Sequence, residues 1–217
     1  MGLEFLNASA VVAAEGHNPT ILHPAFLESR SIVPKEWKAS EVICTPPVAV
    51  VKYNGQDFIM SVEIGRLQVI DNKPGDQPEK SPAPQIAAKY ITELPHVRYT
   101  AVGINFTAFV PSESAERRLL ERFLKPDDSW QGRFAPKAIG LRFLFDLVGG
   151  ALRLRVDAGT VKRGDQKERS GVLVNANCNY DLPTDKKLER AVEILSRFAD
   201  NYQVVRERIN AVLGLGT

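Results

Sequence analysis

The chain has 217 residues, 44% of them hydrophobic and 25% charged, with a net charge of +2. These are values of an ordinary globular protein. Fifteen glycines and fourteen prolines are near background and exclude collagen-like and low-complexity classes. The charge is too even to require a nucleic-acid or anionic-membrane partner, although it leaves room for a local basic patch. A length about one and a half times the usual ~150 residues fits one large domain or two small ones. It is enough to bury roughly 70% of the unfolded surface without metal or disulfide staples.

Cys44 and Cys178 stand far apart inside apolar runs. They read as buried free thiols in a reducing compartment, since one isolated pair makes no disulfide framework. The N-terminus has neither the basic nor the apolar stretch of a signal peptide. Leu6 stands where a myristoylation signal at Gly2 requires Ser or Thr. The apolar runs are far shorter than the roughly 20 residues of a membrane helix. A cytoplasmic protein without membrane attachment is expected.

Residues 3–14 suit a first strand. Residues 15–40 contain Gly16, Pro19, Pro24 and Pro34 without sustained periodicity, which predicts a long irregular excursion. Excursions of that length in a compact fold often carry function. Val48–Lys52 and Phe58–Ile64 flank Tyr53-Asn54-Gly55-Gln56, and Asn-Gly predicts a two-residue type I′ hairpin turn. That turn sets Lys52 opposite Asp57, Val51 opposite Phe58 and Ala49 opposite Met60. Ala49, Val51, Phe58, Met60, Val62 and Ile64 then form a core face. The second face carries Val48, Val50 and Ile59 before turning polar at Ser61 and Glu63, so the hairpin is expected to be either central in the sheet or covered, by a helix or by a second copy of the chain.

Residues 71–84 read as a proline-rich connector, mobile or extended. A short helix follows through Ile86, Ala87, Tyr90, Ile91 and Leu94 and stops at Pro95. Alternation over 97–110 gives a strand with Val102, Ile104, Phe106, Ala108 and Val110 on one side. Ser112 is the expected N-cap of a helix carrying Leu119, Leu120, Phe123 and Leu124. Past a loop at 125–137, Ile139, Leu141, Phe143, Phe145 and Leu147 alternate with Gly140, Arg142, Leu144 and Asp146. A Gly149-Gly150 turn sets Leu147 opposite Leu152, Phe145 opposite Leu154 and Phe143 opposite Val156. A further strand points Val172, Val174, Ala176, Cys178 and Tyr180 inward. The longest helix spans about 185–213, capped by Thr184, with an unbroken apolar stripe from Leu188 to Leu213.

The expected order is therefore βββ-α-β-α-βββ-α: an α+β fold, mostly antiparallel, packed against a long C-terminal helix. Residues 1–217 are expected to form one domain. Two βββα stretches, 1–94 and 138–217, joined by a central β-α, hint at pseudo-halves.

Metal and nucleotide signatures are absent. The only histidines are His17, His23 and His96, neither cysteine has a neighbour at ligand spacing, and no phosphate-binding glycine loop occurs. No cofactor or metal is expected. His17 and His23, in the proline-rich excursion, are the only candidate general bases for a motif-free enzyme. Asp127-Asp128 reads as a turn.

The outer face of the second β region is more informative. Arg142, Asp146, Arg153, Arg155 and Asp157 share one parity, and Asn175, Asn177, Asn179 and Asp181 continue it on the next strand. Asparagine is depleted in strands, so three at period two call for a reason. One is a polar platform for RNA, a peptide or an anionic ligand, with Arg155 as anchor. The alternative is a solvated face of cross-strand ion pairs, since a Gly149-Gly150 turn would set Asp146 opposite Arg153 and Arg142 opposite Asp157. The basic loop 162–169, with Lys162, Arg163, Lys167 and Arg169, is a candidate phosphate contact beside that face.

Three stretches, His17-Asn18-Pro19-Thr20-Ile21-Leu22, Ile32-Val33-Pro34 through Trp37, and Thr45-Pro46-Pro47, resemble motifs of uncharacterised bacterial proteins of unknown function. The resemblance covers the first third of the chain and implies a bacterial origin but no activity. The expected function is that of a non-enzymatic interaction protein, a subunit or adaptor of a bacterial assembly. Its candidate protein interface is Val48, Val50 and Ile59, and self-association or a protein partner completes it. The alternatives are a nucleic-acid-binding module using Arg155, Asn175, Asn177, Asn179 and the basic loop, and an enzyme without a recognisable motif.

Overall fold

The computed structural model describes residues 2–124, 136–162, 167–183, 185 and 187–215. Nine strands form one antiparallel sheet in the order β2-β3-β4-β5-β1-β6-β9-β8-β7. They are β1 (Glu4–Glu15), β2 (Glu41–Cys44), β3 (Val48–Tyr53), β4 (Phe58–Glu63), β5 (Arg66–Asp71), β6 (Arg98–Pro111), β7 (Leu141–Leu147), β8 (Gly150–Val161) and β9 (Arg169–Asp181). The helices are α1 (Pro24–Ser29), α2 (Ala83–Thr92), α3 (Ala115–Phe123), α4 (Lys187–Ser196) and α5 (Phe198–Leu213). The α+β class and the antiparallel sheet are as expected. The excursion over 15–40 is less irregular than expected: it contains α1, with Leu22, Leu27, Ile32 and Val33 buried in the core.

The chain runs through one pattern twice. A long strand is followed by a helix and then by a meander whose last strand returns beside the first, and a closing helical segment follows. β1, α1, β2 to β5 and α2 make one round; β6, α3, β7 to β9 and α4–α5 make the other. β1 and β6 pair antiparallel at the centre. β6 and α3, which read from the sequence as a link, thus occupy the positions that β1 and α1 hold in the first round.

Period-two alternation fixes the two faces. Val42, Val51, Met60, Val69, Ala10, Ile104, Cys178, Leu152 and Phe145 form one apolar line across all nine strands. The helices cover this side. β1 presents Ala8, Ala10 and Ala14 there, and these small side chains let Ala83 and Ala87 of α2 come close. Trp37 closes the other end of the face against Tyr53 and Phe58, with ring centroids 5.4 and 4.9 Å away. Cys178 sits in mid-line, and burial pushes its thiol up to about 12. Cys44 departs from expectation: it is exposed on edge strand β2, whose four residues are all exposed.

Both hairpins differ in register from the expected pairing, each by two residues. Asn54–Gln56 form a 3₁₀ turn and Asp57 takes a left-handed conformation (φ 54°), so Tyr53 pairs with Phe58, Val51 with Met60 and Ala49 with Val62. Ile64 lies in the following turn, 57% exposed and outside the core. In the second hairpin Gly149 has φ 76°, the turn is Val148-Gly149, and Leu147 pairs with Gly150. A shift of two preserves the face of every side chain and changes every partner.

Four smaller expectations are corrected. β2 and β5 were not anticipated. Ser112 caps no helix; its N–H donates to the Ser170 carbonyl at 3.0 Å, and α3 starts at Ala115. The final helix breaks at Arg197 into α4 and α5, where buried Asn201 accepts a hydrogen bond from the Tyr180 hydroxyl. The connector over 71–84 is pinned at Asp71, which accepts from the Ser81 hydroxyl at 2.8 Å. Thr184, Asp127, Asp128 and Arg163 lie outside the described residues.

Candidate binding face on the open side of the sheet

Among the described residues the helices all lie on one side of the sheet, and none covers the opposite side. Its composition changes halfway across. On β1 to β5 apolar pairs alternate with polar ones: Ile43 and Val50 pair across β2 and β3, Ile59 and Ile70 across β4 and β5, and Ser61 and Gln68 pair in the row between Val50 and Val11. Val48 and Val11 stand on the same face, bordered by the ion pairs Glu41–Lys52 and Glu63–Arg66, each 2.8 Å. Val48, Val50 and Ile59 are half-buried, β3 and β4 lie inside the sheet between β2 and β5, and no cover over their open face is found among the described residues.

On β6 to β9 and β7 the face is polar. Asn105, Asn177, Arg153 and Leu144 form one cross-strand row, and Thr107, Asn175, Arg155 and Arg142 the next. Together they line a trough of about 590 Å³. The three asparagines share the face on which the sequence put them. Asn105 and Thr107 were missed, although the residues alternating with the core side of β6 carry the signal. Their side chains organise the floor: Asn177 Nδ2 donates to Asn105 Oδ1 at 2.5 Å, and Thr107 Oγ1 donates to Asn175 Oδ1 at 3.1 Å. Asn179 stands one row further on, near Asp181.

The register shift changes the electrostatics. The expected ion pairs Asp146–Arg153 and Arg142–Asp157 do not form. Arg142 instead stands directly opposite Arg155, and Arg153 opposite Leu144. Arg155 Nε donates to Asp157 Oδ2 at 2.7 Å. Among the described residues, Arg142 and Arg153 form no ion pair. Like charges directly opposite one another are unfavourable in a sheet, so a bound anion would stabilise this arrangement.

The described residues of the basic loop are not beside the trough. Lys162 and Lys167 are exposed beyond the Val161–Arg169 end of the β8–β9 ladder, and Lys162 lies more than six residues past Arg155, or about 20 Å at ~3.3 Å per residue. Arg169 is occupied. It donates to both carboxylate oxygens of Glu4, at 2.9 and 2.8 Å, and its guanidinium lies 5.2 Å from the Phe109 ring.

The two excursion histidines have local surroundings. His17 is 3% exposed with its ring centroid 5.9 Å from that of Tyr99, and burial pushes its imidazole below the ordinary histidine range. His23 Nδ1 accepts from the Ala25 N–H at 3.2 Å and caps α1. Among the described residues, no group of three or more His, Cys, Asp or Glu could hold a metal, and no helix is long and apolar enough to cross a membrane. No protein-family model matches the sequence, and no curated protein matches it significantly.

Proposed function

We propose that this chain works by contact rather than catalysis, as a subunit or adaptor of a bacterial assembly whose partner seats on the open side of the sheet. The observation that carries this reading is a group of apolar side chains that no described helix covers: Ile43 paired with Val50, Ile59 paired with Ile70, and Val48 and Val11 on the same face, with Ser61 and Gln68 set among them. Antiparallel sheets do leave one face to water, but that face is then normally polar. Clustered apolar side chains rimmed by polar ones on such a face point to an interaction surface.

The test places a photo-crosslinking amino acid at Ile59, on the open face, and separately at Glu207, exposed on α5, in cells of the source organism. The Ile59 position is expected to give one adduct of defined mass and the Glu207 position none. Equal labelling from both, or none from Ile59, contradicts the reading.

A further inference from the structure

Resting on that contact reading, we infer that the trough over β6 to β7 receives an acidic polypeptide segment, its carboxylates held by Arg142, Arg153 and Arg155. Three features choose this occupant. The first is charge complementarity: Arg142 faces Arg155 across the strands, Arg142 and Arg153 lack ion pairs among the described residues, and only Arg155 has a carboxylate neighbour, through its Nε. Guanidinium groups bind carboxylates in a bidentate fork. The second is the donor-rich floor. Asn175 Oδ1 is taken up by the Thr107 hydroxyl, which leaves the Asn175 amide N–H groups to donate.

The third feature is apolar. Leu144 is 67% exposed opposite Arg153, and the apolar side chains Ile43, Val50, Ile59 and Ile70 stand on the same face of the sheet. A polypeptide offers acidic and apolar side chains side by side. A single nucleic-acid strand would use aromatic side chains on which its bases stack, and the open-face residues of the trough include none.

The experiment measures fluorescence anisotropy of the full chain with three labelled probes: an alternating Glu-Leu decapeptide, the matching Ser-Leu decapeptide, and a ten-nucleotide oligouridylate. The Glu-Leu peptide is expected to bind at low salt, at least tenfold more tightly than either other probe, and to weaken as sodium chloride rises. The double variant Arg142→Glu/Arg153→Glu should weaken it a further tenfold or more, and the charge-neutral Arg153→Gln by less. Both positions are exposed, so an unchanged melting temperature confirms folding. No binding of the Glu-Leu peptide, equal binding of the Ser-Leu peptide, or affinity unaffected by the double variant overturns the inference. Oligouridylate binding that the double variant abolishes also overturns it, in favour of nucleic acid. Each of these failures leaves the Ile59 crosslink intact if the contact reading is right, so the two claims fall separately.

Discussion

Phe106→Ala is expected to lower the unfolding free energy by about 3–5 kcal/mol, the cost of emptying a well-packed aromatic site. Phe106 is 1% exposed on the helix side of β6. Its neighbours in the ladder are Ala8 on β1 and Ala176 on β9, small residues that leave room for the ring between central strands. A register shift between Phe5 and Asn7 turns Phe5 onto the same side. The ring centroids of Phe5, Phe198 and Tyr202 then lie 5.9, 5.0 and 5.8 Å from that of Phe106. The side chain thus joins the centre of the sheet to α5, and the surrounding backbone cannot collapse into the space it leaves. Total stabilities are about 5–15 kcal/mol, so urea unfolding should show a large fall in midpoint at unchanged slope. A loss below about 1 kcal/mol would contradict this packing.

The second large effect is expected from a single added methyl group. Gly171 on β9 lies beneath Phe109, a residue that is fully buried although it belongs to the open side of the sheet. A Cβ at position 171 would stand 2.5 Å from the Phe109 ring and closer still to the Val110 carbonyl oxygen. The ring is held from above by Arg169, itself fixed by Glu4, and the carbonyl belongs to the β6–β9 ladder. Neither can yield without opening a strand pair. Gly171→Ala should therefore destabilise the chain by about 1–3 kcal/mol through overpacking. Gly55→Ala, where a Cβ meets nothing within 4 Å, is the control and should stay within about 0.5 kcal/mol. Equal effects from the two substitutions in urea unfolding would contradict the assignment.

The faces of the sheet were legible in the sequence, and the pairings were not. Alternation identifies which side Arg155, Asn175 and Asn177 occupy regardless of register. Partner identity depends on which glycine takes the positive φ, and Gly149 rather than Gly150 does so. That one position turns expected ion pairs into Arg142 facing Arg155. β2 escaped notice because its four residues are all exposed and show no burial periodicity. β5 carries a readable alternation of Leu67 and Val69 with Gln68 and Ile70, obscured by its nearness to the polar connector. The break at Arg197 was invisible because the apolar stripe continues on both sides of it.

The central claim, that the open face is completed by a partner, is tested most directly by native mass spectrometry of the tagged chain. It should be purified at low salt from the source organism, as wild type and as Val50→Asp/Ile59→Asp. The account predicts a stoichiometric protein adduct or a homo-oligomer on the wild type and a bare, folded monomer for the variant. A bare wild-type monomer, or an adduct that survives both substitutions, would contradict it.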